Sequence, residues 1–251
     1  MKVCVLSSGS KGNTTYIESS NTKILIDIGN SAKYVKEKLE GIGVEPEEID
    51  AVLITHTHVD HIKGLKVFEN KYNKPVYITD IMLKSLDFLN NYVFLKNEFD
   101  IGDMHITTIK TSHDAPDSRG YIIVSGNDSI VYITDTGYIN RKYFEILKNR
   151  NIYVMESNHD IEMLNNGNYP FNLRQRILSD KGHLSNYDSA KYLSSFIGSR
   201  TKYIILAHLS EDNNTEDLAY NTLVDRLNCD NVNVDNIIIA KQNQETEIIV
   251  I

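Results

Sequence analysis

The stretch that decides the reading is AVLITHTHVDH, Ala51 to His61. Ala51–Thr55 is a continuous apolar run, the mark of a strand buried on both faces. His56 and His58 are two apart, so in an extended segment their rings project to one side. Asp60 and His61 follow where the chain must leave the strand. Four side chains of ligand type thus converge at the carboxyl end of a buried strand, where open sheets place their sites. A solvated turn accounts for an isolated histidine, but not for three histidines and an aspartate in six consecutive residues. Imidazole and carboxylate together suit Zn, Mn or Fe better than Ca or Mg, so THTHVDH reads as a metal site.

Outward from this segment, short apolar runs alternate with helical patterns. Lys2–Leu6, Thr14–Glu18 and Lys23–Ile28 read as strands, and the Gly- and Ser-rich loop SSGSKGN follows the first. Ser31–Leu39 reads as a helix. Strands follow near Val76–Ile78, His105–Lys110, Gly120–Ser125 and Ile130–Thr134, with a helix near Ile81–Leu89 and a hairpin turn at Asn127-Asp128. A helix near Arg141–Leu147 leads to the strand Ile152–Glu156, then helical stretches to about Ile197. The buried strand Tyr203–Ala207, a helix Thr215–Leu227 and strands Asn236–Ala240 and Glu247–Ile251 close the chain. This interleaving favours sheets covered by helices. Periodicity alone leaves open one doubly wound sheet or two sheets packed face to face.

Two of the remaining histidines and an aspartate obey a positional rule. His113 follows the strand ending near Thr111, His208 follows Ala207, and Asp135 follows Thr134. Each lies just past the carboxyl end of an apolar run, as the first cluster does. His105 lies inside a strand pattern and reads as a core or surface residue.

Composition excludes several classes. The chain has 251 residues with 26 basic and 34 acidic side chains, a formal charge of −8. At 41% hydrophobic and 24% charged it is neither disordered nor fibrous. Cys4 and Cys229 cannot form a disulfide framework and fit a reducing, cytoplasmic setting. No apolar run approaches the roughly 18 residues of a membrane span, and MKVCVLSSGS does not read as a signal peptide. The acidic balance argues against a protein that coats nucleic acid.

With these residues in place, the chain resembles the metallo-β-lactamase superfamily, in its binuclear hydrolase branch. The resemblance spans the whole chain. It implies an α/β (α+β) fold, a four-layer αββα sandwich formed as a single domain over residues 1–251. It also implies two divalent ions (Zn, Mn or Fe). His56, His58 and His113 would hold one ion, and Asp60, His61 and His208 the other, with Asp135 bridging. Asp27, ending ILID, would orient the ligands from behind.

Three further segments, SSGSKGNTTYIE (7–18), ESNHD (156–160) and YPFNLRQRILSDKGHLSN (169–186), look like the YycJ group, also called WalJ or VicX. GHLS looks like the Gly-His-Ser/Thr motif of the ribonuclease Z branch. The resemblance implies a two-metal phosphodiesterase, a 5′-to-3′ exonuclease acting on single-strand DNA or a strand end. Asp60 or Asp135 would orient the attacking water and His183 would assist the leaving oxygen. Physically, Ser185 and Asp188 have capping-box spacing, which sets His183 just before a helix N-terminus that favours an anion.

Ser10, Lys11, Asn13, His159, Ser185 and Arg176 are candidate substrate contacts. The SSGSKGN backbone is expected to offer N–H groups to a terminal phosphate. Arg174 would point to another helix face than Arg176, Arg119 fits a site or a salt bridge, Tyr169 could stack on a base, and Phe171 is expected in the core. Asp135 and His208 are 73 positions apart, which leaves no room for a β-CASP insertion, and His113 and Asp135 are 22 apart, which leaves none for a tRNA-gripping arm. Competing readings are a cyclic phosphodiesterase, a glyoxalase II-like thioesterase, which GHLS disfavours, and a metal-stabilised regulator without turnover.

Overall fold

The computed structural model describes residues 1–251. Strands are β1 (Lys2–Ser7), β2 (Thr14–Glu18), β3 (Lys23–Ile26), β4 (Ala51–Leu53), β5 (Val76–Ile78), β6 (Tyr92–Phe94), β7 (Glu98–Ile101), β8 (Met104–Lys110), β9 (Arg119–Ser125), β10 (Asp128–Ile133), β11 (Ile152–Glu156), β12 (Tyr203–Ala207), β13 (Asn236–Ile239) and β14 (Ile249–Val250). Helices are α1 (Ala32–Gly41), α2 (Val59–Ile62), α3 (Leu65–Tyr72), α4 (Phe144–Leu147), α5 (Ile161–Asn166), α6 (Phe171–Ile177), α7 (Asn186–Phe196) and α8 (Glu216–Cys229). The strands form two seven-stranded sheets, ordered β14-β1-β2-β3-β4-β5-β6 and β13-β12-β11-β10-β9-β8-β7. No helix is long and apolar enough to cross a membrane. The chain divides into two compact units. The first comprises residues 1–110, 115–128 and 241–251, and the second 111–114 and 129–240.

In the first unit, β1, β2 and β3 pair antiparallel, and β3 through β6 pair parallel. Parallel neighbours need a crossover, which α1 supplies between β3 and β4, and α2 with α3 between β4 and β5. Ser31 caps α1 by accepting a hydrogen bond from the Tyr34 amide. Ala32, Val35 and Leu39 then form its buried stripe and join Leu25, Val52 and Phe68 in one core. Helix α3 escapes the sequence reading because its apolar stripe is only Leu65 and Phe68, with Glu69 buried beside them. The helix expected at Ile81–Leu89 shrinks to a 3-10 turn at Met82–Ser85. β7, β8 and β9 form an antiparallel ribbon. It steadies the segment after β4: the Tyr121 hydroxyl donates to the Ile54 carbonyl and the Arg119 amide to that of Thr55.

In the second unit, β10 to β13 are all parallel. Ile133 is registered with Met155, and Met155 with Leu206. That alignment brings the carboxyl ends of β10, β11 and β12 to one edge, so the residues after each emerge together. The turn before β10 lies at Gly126-Asn127, one position earlier than the sequence reading. Gly126 supplies the left-handed φ of +57° there, and Asp128 already belongs to the strand. Thr215 caps α8 through the Leu218 amide.

Candidate metal centre

The first unit carries His56, His58, Asp60 and His61. β4 ends at Leu53, so His56 and His58 lie on an irregular loop rather than on an extending strand. The period-two argument for their common direction therefore fails, yet the rings still meet. The His56 centroid is 4.7 Å from that of His58 and 4.0 Å from that of His61. Asp60 and His61 sit on the single turn of α2.

Asp27 organises this group. It follows β3 with φ of +62°, a left-handed conformation rare outside glycine, and its carboxylate is buried. It accepts from the Thr55 amide (2.8 Å) and hydroxyl (2.7 Å), and lies 2.7 Å from His61 Nδ1. The Thr55 oxygen is in turn 3.1 Å from His56 Nδ1. Since that hydroxyl donates to Asp27, it can only accept from His56. This network puts the proton on Nδ1 of both imidazoles and leaves Nε2 with its lone pair. Burial pushes the Asp27 carboxyl above its usual range, against the pull of His61 and Thr55.

Asn13 braces the opposite edge. Its amide nitrogen is 3.0 Å from His61 Nε2, and its backbone N–H donates to the Asp60 carbonyl. Gly29 is required here, because a Cβ at that position would lie 1.8 Å from the Asp60 carbonyl oxygen.

The second unit carries His113, Asp135, Glu156, His183 and His208. Asp135 and His208 follow β10 and β12 with left-handed φ of 56° and 57°. Asp135 Oδ1 is 3.8 Å from His113 Nε2 and 3.5 Å from His208 Nε2. His113 Nδ1 is engaged by the Gly182 carbonyl at 3.1 Å, and His208 Nδ1 by Glu156 at 3.1 Å. Burial lowers the pKa of His113 despite Asp135 beside it, which favours the neutral imidazole that binds metal.

Glu156 is the residue the sequence reading left unassigned. It ends β11 fully buried and collects four donors: the Thr136 and Leu184 amides at 3.0 and 3.1 Å, His183 Nδ1 at 2.7 Å and His208 Nδ1 at 3.1 Å. Burial opposes its charge, but the two histidines and these hydrogen bonds outweigh it and hold the carboxyl well below the usual range. The positional rule that picked Asp135 and His208 applies equally to the last residue of IYVME. Together Asp135, Glu156, His183 and His208 offer ligand-type atoms within 4.8 Å of one another.

The candidate substrate contacts divide. Ser10 and Lys11 are exposed and line a cavity of about 410 Å³ with Asp60 and Lys63. The loop beneath them does not present its N–H groups as expected. Those of Ser8, Gly9, Lys11, Gly12 and Asn13 are bonded to Lys241, Asn13, Gln242, Gly9 and Asp60. Asn13 is buried in bracing Asp60 and His61, so it is not a substrate contact. Ser185 is likewise buried and caps α7, accepting from the Asp188 amide while its hydroxyl donates to the Asp188 carboxylate. That is a variant of the expected capping box, in which the Asp188 side chain bonds the Ser185 hydroxyl instead of its amide.

Arg176 pairs with Asp114, next to His113, whereas Arg174 bonds the Asn165 carbonyl. Arg119 is held by both oxygens of Asp117, His105 is exposed and pairs with Asp100, and the Tyr169 hydroxyl donates to Asp212. Phe171 is 65% exposed, not in the core. It opens α6, a helix none of whose residues is buried.

His159 is buried, and neither ring nitrogen has a hydrogen-bond partner. It is therefore not a surface contact for substrate. Burial pushes its pKa down to about 4 from 6.5. Between those pH values the unfolded chain takes up a proton that the folded chain refuses. Stability contributed by neutral His159 is complete above pH 6.5 and falls as pH drops to 4, by roughly 3 kcal/mol. In urea titrations at pH 7 and 4.5, wild-type protein is expected to lose more stability than His159→Leu; equal losses would refute the assignment.

The donor chemistry fits divalent ions. Imidazole nitrogens and carboxylate oxygens suit Zn, Mn and Fe. The Nδ1 atoms of His56, His61, His113 and His208 are each engaged by a protein acceptor, the arrangement that fixes metal-ligating histidines.

Comparison with known proteins agrees. Residues 22–208 match the model of the β-lactamase superfamily domain. The exodeoxyribonuclease WalJ of Streptococcus pneumoniae is 40% identical over 239 residues, covering 90% of this chain and 88% of the relative. The exodeoxyribonuclease YycJ of Bacillus anthracis is 38% identical over 223 residues, covering 86% and 84%. The metallo-β-lactamase fold protein YhfI from Bacillus subtilis superposes with a TM-score of 0.77 at 20% identity, covering 98% of this chain and 99% of that one.

Proposed function

The chain belongs to the β-lactamase superfamily, with the metallo-β-lactamase fold, and from that membership we propose that it is a metal-dependent exodeoxyribonuclease working in the cytoplasm as a single domain. The observation that carries this reading is a full set of donor histidines and aspartates accompanied by His183 held on Glu156. Decayed, non-catalytic members of a fold would be expected to lose ligands, and none is lost here.

His56, His58 and His113 would hold one ion, Asp60, His61 and His208 the second, and Asp135 both. When bound, such ions acidify water and neutralise charge on phosphoryl oxygens. The protein's own groups do the rest. Asp60, whose side chain keeps 23% of its surface open, orients the attacking water. With Nδ1 engaged by Glu156, the partly exposed His183 offers Nε2 as proton donor to the leaving oxygen. The ions also change the electrostatics. Four added positive charges take the formal total from −8 to −4 and leave a cationic centre in an acidic protein. That balance suits an enzyme that handles one strand end and gives little grip on a duplex.

The test is hydrolysis of 5′-phosphorylated and 5′-hydroxyl DNA strands, single and double, and of RNA, by protein loaded with Mn²⁺ or Zn²⁺, with and without chelator. Stepwise release of nucleotides from DNA, abolished by chelator and by Asp60→Ala, is expected. Full activity in a folded Asp60→Ala protein would overturn the assignment.

A further inference from the structure

The second unit contains a concavity of about 850 Å³ that the chemistry above does not use. It is lined by Tyr138, Arg141, Phe144, Lys191, Tyr192 and Arg226. Arg141 and Lys191 are exposed. Arg226 is bonded to Asp230, the one acidic lining residue, at 2.6 Å. The groove therefore carries three cations against one carboxylate, in a chain of formal charge −8. Its aromatic surface is fixed in place. Phe144 and Tyr192 meet edge to face at 5.9 Å, and the Tyr192 hydroxyl accepts from the Ile139 amide. Tyr138 presents 40% of its surface to solvent.

The groove begins near the ligand-bearing end of β10. Tyr138 stands three residues beyond Asp135, within about 11 Å along the chain. Thr136 joins the two: its amide donates to Glu156 and its hydroxyl to the Tyr138 carbonyl. The Gly137 amide donates to Ser112, next to His113. From there the groove follows α7, whose Lys191, Tyr192, Ser194 and Ser195 all line it.

Resting on the exonuclease reading, we propose that this groove binds the single strand of nucleic acid trailing from the nucleotide under hydrolysis. Bases would stack on Tyr138 and its aromatic neighbours, and phosphates would lie against Arg141 and Lys191. Aromatic faces interleaved with cations suit a single strand, whose bases expose their π faces, and not a duplex, which hides them. Otherwise acidic, the protein would gather its cationic grip where the strand runs.

The test uses the metal-loaded full chain and the double variant Arg141→Ala/Lys191→Ala. A fluorescent single-stranded oligonucleotide is expected to bind about tenfold more weakly. Its salt dependence should flatten by about 1.4 in log–log slope, as removal of two phosphate contacts implies. KM for long strands should rise with kcat little changed, and hydrolysis of bis(p-nitrophenyl) phosphate, too small to reach the groove, should be unaltered. Tyr138→Ala should weaken binding without changing the salt slope, and Arg141→Lys with Lys191 retained should restore most of it. Unchanged oligonucleotide affinity and KM in a folded double variant would overturn the proposal. So would a change in oligomeric state with KM unmoved, which would give the groove to a protein partner. Wild-type protein that hydrolyses bis(p-nitrophenyl) phosphate but no nucleic acid would instead defeat the exonuclease reading, and the groove assignment with it.

Discussion

Glu156→Gln is expected to lower kcat on a phosphodiester about 10³- to 10⁴-fold and to deplete bound metal, in a protein that still folds. The carboxylate is a four-donor acceptor. One oxygen takes the Thr136 and Leu184 amides, and the other faces Nδ1 of His183 and His208. A glutamine carbonyl can keep the two backbone donors, which leaves its NH₂ group facing the two imidazoles. An NH₂ group donates where the carboxylate accepted, so both rings are driven to carry their proton on Nε2. His208 then lacks the lone pair a metal needs. His183 in turn loses the acceptor that holds its ring through Nδ1. A change of this kind in the acceptor that orients a catalytic histidine costs about 10⁴-fold in the Ser-His-Asp triad. Two readouts separate the effects. Metal content per chain reports His208, and kcat with excess metal reports His183. Glu156→Asp, which keeps the charge but shortens the reach, should fall between the two. Wild-type kcat and metal content in Glu156→Gln would show that neither histidine depends on this carboxylate.

Much of this candidate centre could be proposed from the sequence because ligand-type residues directly follow apolar strand runs. THTHVDH, Asp135 and His208 were singled out that way, and the parallel register of β10, β11 and β12 brings the residues after those three strands to one edge. Glu156 obeys the same rule but was passed over, since a glutamate closing a strand resembles an ordinary surface end until its burial is known. Helices α1 and α8 were read one residue early at their starts, since the helix readings began on Ser31 and Thr215, which are their N-caps. Asn13 and Ser185 were misread for another reason. Polar side chains beside a site look like substrate contacts, and only the fold shows that their hydrogen bonds are already engaged. Phe171 failed through composition: an aromatic residue reads as core, but α6 buries nothing. Helix α3 lacked a long apolar stripe, and its buried Glu69 makes sense only beside the Asn90 and Asn91 amides it accepts from.

Asp135→Ala is expected to abolish phosphodiester hydrolysis, by at least 10³-fold, and to lower metal occupancy more than loss of any single histidine. Its Oδ1 lies between Nε2 of His113 and Nε2 of His208, which the ligand assignment gives to different ions. Removing one imidazole would strip one donor from one ion. Removing this carboxylate would take a donor from both, together with the negative charge that offsets two dications at close range. Asp135 also sits at φ of 56°, a strained conformation for alanine, so some stability would be lost for backbone reasons alone. Asp135→Asn controls for that, because asparagine tolerates the left-handed region nearly as well while lacking the charge. Metal content, thermal unfolding and hydrolysis measured on both variants separate the two causes. If Asp135→Asn unfolds like wild type, yet binds little metal and hydrolyses nothing, the carboxylate acts through the ions. If Asp135→Asn keeps two ions and wild-type turnover, Asp135 is a fold residue, and the bridging assignment falls.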